Sequence, residues 1–242
     1  MMRFLILLVC FYTAAFAKPP TATELLNDAE NLYRSESSYA EISMDIVNPN
    51  WSRSLKLKAW SMGDDFTLIR ILSPKKDKGV STLRRNKDMW NYFPKINREM
   101  KVPPSMMMGS WMGSDFSNDD LVKQTDLTDE YDIELQVLKD TYQLLLKPKS
   151  TTATVWGRIE VVLNKSSKLP LEYRYFDEKG KAMRTMTFGS PKKFGKILLP
   201  SKLEMINLSK PGHKTSITYN RLDLNIGLKK SFFSLHNLKK KI

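Results

Sequence analysis

Asp115, Ser117, Asp119 and Asp120 place oxygen-bearing side chains at the spacing with which a calcium loop begins. Such a loop also needs a glycine at its sixth position and a bidentate glutamate at its twelfth, and this sequence supplies neither. The same residues fit a capping box, with Ser117 as N-cap and the Asp120 carboxylate in the N3 place. Carboxylates there also meet the positive end of a helix. A helix start is therefore expected at "SNDDLVKQ", with Gly113 and Ser114 in the turn before it and Asp115 binding backbone amides to fix the loop. No metal is expected.

Nucleophilic chemistry lacks its parts. Cys10 is the one cysteine and lies in the first 17 residues. His213 sits in "KPGHK", a lysine-rich turn suited to an exposed polar residue, and His236 in an apolar tail segment suited to packing. "GSWMG" has its serine one place off a G-x-S-x-G elbow. Neither H-E-x-x-H, a P-loop nor G-x-G-x-x-G occurs. Glycoside hydrolysis needs two carboxylates, and nothing marks a pair for it. The expectation is a protein without enzymatic activity and without a cofactor.

The apolar residues say more. Five tryptophans and 13 methionines supply adaptable surface, because methionine fills irregular space and repacks around variable partners. Met106, Met107, Met108, Trp111 and Met112 are interrupted only by Gly109 and Ser110, and they follow neither helical nor strand periodicity. A loop this apolar buries itself in the domain, meets a partner or contacts lipid.

The elements that must position this loop are mostly strands. After Pro19 and Pro20, "TATELLNDAENLYRS" reads as an amphipathic helix with Leu25, Leu26, Ala29, Leu32 and Tyr33 on one stripe, capped by Thr21 or Thr23. About a dozen strand-like segments follow, from "YAEISMDIV" to "TSITYNRLDLN", separated by turn signals such as "RNKD" and "DEKG". "SFFSLHNL" reads as a last helical turn. Strands in this number curl or split into two sheets, so one mainly β domain is expected over 18–242: a large curved antiparallel sheet or open barrel with the N-terminal helix on its concave side.

Residues 1–17 carry Arg3, an apolar run from Phe4 to Phe16, and the small-x-small ending Ala15-Phe16-Ala17, the pattern of a cleaved secretory signal peptide. The run is short for a bilayer span, and Leu8 and Val9 before Cys10 do not fit a lipidation signal. The expected location is the periplasm. The chain has 39 Lys and Arg against 26 Asp and Glu, a formal net charge of +13, with the excess in residues 131–242. Export argues against nucleic acid as the partner. The lysines at strand ends fit solvation and edge protection, or a basic face for anionic lipid headgroups in peripheral membrane contact.

From residue 79 onward, "GVSTLRRNKDMWNYFPKINREMKVP" and "SWMGSDFSNDDLV" resemble the outer-membrane lipoprotein-sorting proteins, relatives of the LolA/LolB lipoprotein carriers. The family's leucine-arginine strand is matched by Leu83-Arg84, its Trp-x-Tyr-x-Pro by "WNYFP", and its Met-Gly-Ser-Asp-Phe block by residues 112–116. "LPLEYRYFDEKGKAMRTMTF" and "ILLPSKLEMINLSKPGHKTSITYNRLDLN" resemble the family's second half. The resemblance implies an unclosed LolA/LolB-like β-barrel, its mouth covered by helices or loops, around an apolar cavity for the acyl chains of a lipoprotein or a free lipid. Trp60, Trp90, Tyr92, Met106, Met107, Met108, Trp111, Met112 and Phe116 are expected to form that cavity or its lip. An inner-membrane transporter and an outer-membrane acceptor are the implied partners, and an adaptor of a lipid-exporting transporter is the alternative role.

Overall fold

The computed structural model of the protein describes residues 18–33, 35–122, 127–152 and 154–241; the expected signal peptide lies outside them. Thr21 starts the first helix, α1 (Ala22–Glu30), by a reciprocal cap. Its hydroxyl accepts from the Glu24 N–H at 3.2 Å, and the Glu24 carboxylate accepts from the Thr21 N–H at 2.8 Å. The helix closes at Glu30 with Asn31 as C-cap, one turn earlier than the apolar stripe suggests. Leu25, Leu26 and Ala29 are buried against the sheet, and Leu32 and Tyr33 pack beyond the helix end.

Six strands then run as one meander: β1 (Ser38–Val47), β2 (Ser52–Met62), β3 (Phe66–Ser73), β4 (Ser81–Arg85), β5 (Asp88–Phe93) and β6 (Arg98–Lys101). Seven more form a second: β7 (Tyr131–Val137), β8 (Thr141–Pro148), β9 (Arg158–Asn164), β10 (Pro170–Phe176), β11 (Ala182–Phe194), β12 (Ile197–Asn207) and β13 (Lys214–Leu224). Antiparallel pairing of β1 with β13 joins them into one 13-stranded sheet in the order β6-β5-β4-β3-β2-β1-β13-β12-β11-β10-β9-β8-β7. The sheet is not closed among the described residues. Its two edges, β6 and β7, are consecutive in the chain. Their connection must therefore cross from one rim of the curved sheet to the other, and it carries α2 (Asn118–Val122), α3 (Leu127–Glu130) and single 3-10 turns at Pro104–Met106 and Trp111–Gly113.

Register divides the sheet into two faces, because side chains alternate along each strand. Ala40 pairs with Ala59, Ala59 with Ile69, and Ile69 with Thr82, so these residues share the inner face. Trp60, Leu68, Leu83 and Trp90 pair in turn one position along, on the outer face.

That outer patch is covered by the C-terminal segment, a 3-10 turn at Lys230–Phe232 followed by α4 (Leu235–Lys239). Phe233 and Leu238 are buried against Phe66, Leu68, Leu83 and Tyr92, each contributing about 1.5–3 kcal/mol by leaving water. Ser234 caps α4 by accepting from the Asn237 N–H at 3.2 Å. The buried Arg70 guanidinium donates to the Asn237 carbonyl and, through Nε, to Ser81 Oγ at 3.2 Å. It thereby adds a side-chain donor to a carbonyl that otherwise accepts only from the Lys240 N–H at 3.3 Å.

Candidate functional site

The crossover between β6 and β7 is shaped by its small residues. Gly109 lies so close to the Met106 carbonyl that a Cβ would stand 2.9 Å from that oxygen. Asn118 Nδ2 donates to the same carbonyl at 3.1 Å, and the Asp119 N–H donates to the Met107 carbonyl at 2.7 Å. A bridge between Ser110 and Ser117, with the Trp111 N–H donating to the Phe116 carbonyl at 2.8 Å, folds the intervening residues into a closed loop. Met112 and Gly113 turn it with φ of 52° and 79°, conformations that favour glycine.

This loop divides the methionine-tryptophan cluster. Trp111, only 3% exposed, and Phe116 point into the sheet, whereas Met106 and Met108 are 59% and 50% exposed. Met107 and Met112 are half-buried against the inner-face core.

Four side-chain anchors hold the crossover across both meanders. Trp111 Nε1 donates to Thr82 Oγ1 on β4 at 3.0 Å. Arg53 on β2 donates to the Met112 carbonyl and lies 3.7 Å from Asp77. Thr215 Oγ1 on β13 accepts from the Asp115 N–H at 2.9 Å and donates to the Asp115 carboxylate at 2.8 Å. Arg184 on β11 grips both Asp120 carboxylate oxygens at 2.7 Å.

Asp120 also closes the capping box, accepting from the Ser117 N–H at 2.7 Å while its own N–H donates to Ser117 Oγ at 3.0 Å. Burial by itself would raise the Asp120 carboxyl; the Arg184 charge and hydrogen bonds and the Ser117 donors outweigh it and hold the group below its ordinary value. Arg184 is pressed from behind by aromatic faces, with its guanidinium carbon 4.3 Å from the Tyr175 ring centre and 4.6 Å from that of Trp156. Its charge is therefore committed to the carboxylate and the rings.

Beneath this anchored segment the inner face is not filled. One compartment of about 220 Å³ is bounded by Ile42, Met44, Leu57, Ile69, Trp111 and Ile217. A second, of about 240 Å³, is bounded by α1, Phe116 and the Met186, Phe188, Leu203 and Met205 side of β11 and β12. Tyr33, Asp120 and Tyr219 form part of the wall of both. Tyr33 and Tyr219 are stacked, with ring centres 4.8 Å apart. Burial raises the Tyr33, Tyr173 and Tyr175 phenols above their ordinary value, so they stay neutral hydrogen-bonding groups. The aliphatic and methionine parts of these walls suit hydrocarbon, and the polar groups among them set orientation.

The structure corrects several sequence expectations. Trp60, Trp90 and Tyr92 do not form a cavity cluster with the methionines. Trp60 borders the first compartment in β2, but its ring packs 5.7 Å from Phe232 and 5.5 Å from Tyr39. Trp90 and Tyr92 lie in the same outer-face cluster, because alternation turns them away from Met89, which faces inward. Trp111 is cavity wall and core, which is the cavity side of the expectation. Met106 and Met108 are surface, and neither bounds the two inner-face compartments. His213, expected as an exposed polar residue, is half-buried with its Nδ1 3.9 Å from Asp115.

Sequence reasoning missed Met44, Leu57, Met186, Met205, Arg184 and the tyrosines. Strand alternation marks Met44, Leu57, Met186 and Met205 as possible inward residues, but only pairing across the sheet shows that they face the two adjoining compartments.

A family model described as "Uncharacterized protein" matches residues 63–240. No curated protein sequence matches the chain. Among solved structures, a DUF1329 family protein from Desulfovibrio piger is 25% identical, with a TM-score of 0.79 over 90% of this chain and 97% of that one. An outer-membrane lipoprotein-sorting protein domain from Vibrio parahaemolyticus is 23% identical, with a TM-score of 0.75 over 90% and 98%. A LolA superfamily protein from Nitrosomonas europaea shares the fold at 16% identity, with a TM-score of 0.73 over 90% and 100%. These neighbours bear out the family resemblance and the unclosed β architecture read from the sequence.

Proposed function

Because the chain belongs to the family matched over residues 63–240 and has the fold of the LolA superfamily, we propose that it is a periplasmic, non-enzymatic carrier that shields acyl chains of a lipoprotein or lipid on the way to the outer membrane. The unfilled apolar space between the inner face and the crossover carries this reading. Each methylene moved there from water contributes about 0.8 kcal/mol. Release has to follow uptake, and walls that include Met44, Met186 and Met205 suit it, because methionine repacks at low cost. The basic second half of the chain supplies attraction to anionic headgroups during loading or delivery.

Native mass spectrometry of the exported protein is the direct test. Acyl-containing ligands that co-purify, and are lost when the protein is unfolded and refolded in their absence, support the reading. Ligand-free protein that also fails to bind a fluorescent fatty acid overturns it.

The exposure of Met106 and Met108 on the outside of the crossover favours one further role, docking on an inner-membrane lipid transporter. Met106→Glu with Met108→Glu then abolishes capture of that transporter while acyl content stays unchanged. Capture that persists in the double variant removes this role.

A further inference from the structure

The second compartment is unusual in a chain with a net charge of +13. Its walls carry two carboxylates, Glu30 and Asp120, and four tyrosines, Tyr33, Tyr173, Tyr175 and Tyr219, while no Lys, Arg or His side chain bounds it among the described residues. Arg184 compensates Asp120 from behind, with both terminal nitrogens on that carboxylate. Burial, and after it the Glu30 charge at the end of α1, raise the Tyr173 phenol above its ordinary value, which sets that carboxylate beside the tyrosine wall. The stacked Tyr33 and Tyr219 rings form another part of the wall. Arg84 belongs to the other compartment, on β4.

We propose that this tyrosine-walled compartment receives the ammonium head of an amine-bearing amphiphile, whose hydrocarbon tail runs into the neighbouring compartment lined by Met44, Leu57 and Ile69. The proposal rests on the carrier reading and specifies its cargo. An anionic head placed here meets the Glu30 carboxylate and an Asp120 already paired with Arg184, with no cationic side chain in the wall among the described residues, and burying a charge without a partner is costly. A neutral hydroxyl gains ordinary hydrogen bonds from tyrosine oxygens. An ammonium gains those as well, together with the Glu30 charge and the negative faces of the aromatic rings.

Competition against the neutral fluorophore N-phenyl-1-naphthylamine tests the assignment, using the exported chain at pH 7 with dodecylamine, dodecanol and dodecanoate below their micelle concentrations. Long-range attraction to a protein of this net charge favours the carboxylate, so the expected order runs against the non-specific one. Dodecylamine displaces the fluorophore at least about tenfold more tightly than dodecanoate, a difference within reach of one desolvated cation–π and charge contact. Glu30→Gln removes that preference, and Asp28→Asn on the exposed side of the same helix retains it. Equal displacement by all three overturns the ammonium assignment and leaves the carrier reading standing. A fluorophore that never binds, with no effect of any amphiphile, overturns both.

Discussion

Asp120 and Arg184, 64 positions apart, meet through two parallel hydrogen bonds of 2.7 Å each. The first is the N3 residue of a short helix on the crossover and the second stands on β11, so the pair joins the Asp115–Thr215 contact in fastening the crossover to the second meander. Both side chains are largely buried, at 17% and 10% exposure. Removing one partner leaves the other charge uncompensated. Asp120→Asn is expected to cost about 3 kcal/mol in urea unfolding, and Arg184→Met a similar amount. The double variant is expected to lose less than their sum, because the stranded charge disappears with its partner. Strict additivity would show that the pair is not coupled.

The same pair sets an acid limit. The folded-state Asp120 carboxyl lies below its ordinary value, so its contribution is complete above the unfolded-state value of about 3.9 and is lost as pH falls through the lower folded value. Between pH 7 and 5 the wild-type advantage over the Asp120→Asn/Arg184→Met variant stays level, and it shrinks below about pH 4. Urea midpoints across that range provide the measurement; an advantage that grows on acidification reverses the sign and contradicts the assignment.

Trp111 supports the crossover through packing and through its bond to Thr82. Trp111→Ala is expected to cost about 3–5 kcal/mol, the range for removing a buried tryptophan. Thr82→Val, which removes this acceptor together with the hydroxyl's own 2.6 Å bond to Asn91 Oδ1, is expected to cost about 1–3 kcal/mol. Thermal unfolding ranks the two, and an Ala variant as stable as the wild type would remove Trp111 from the core.

Face assignment is open to a paired comparison. Trp90→Ala on the outer face is expected to lower stability by about 2 kcal/mol without changing fluorescent fatty-acid binding. Ala59→Trp on the inner face fills the first compartment, lowers binding several-fold, and costs about 1–3 kcal/mol through overpacking. If Trp90→Ala alone weakens binding, the inner and outer faces have been exchanged.

Much of this architecture is legible in the sequence because it is local. "STLRR" and "DMWNYF" coincide with β4 and β5, since alternation and flanking turn residues act within a few positions. Thr21 and Glu24, or Ser117 and Asp120, find each other at a spacing that helix geometry dictates. The open-ended β character and the family resemblance also follow from the chain as written.

Which face of each strand turns inward does not. Met89 and Trp90 are both large and apolar, and neither composition nor spacing ranks one as the inner residue. The choice falls to the pairing of Ala40, Ala59, Ile69 and Thr82 across four strands. Likewise "MMMGSWMG" shows that an apolar segment needs a surface to meet, yet only the meeting of β1 with β13 makes its ends the two rims of one sheet and forces it across the inner face. The cavity, its tyrosine wall and the Asp120–Arg184 pair come from strands far apart in the chain. They are set by long-range strand pairing, above all that of β1 with β13, which no local pattern encodes.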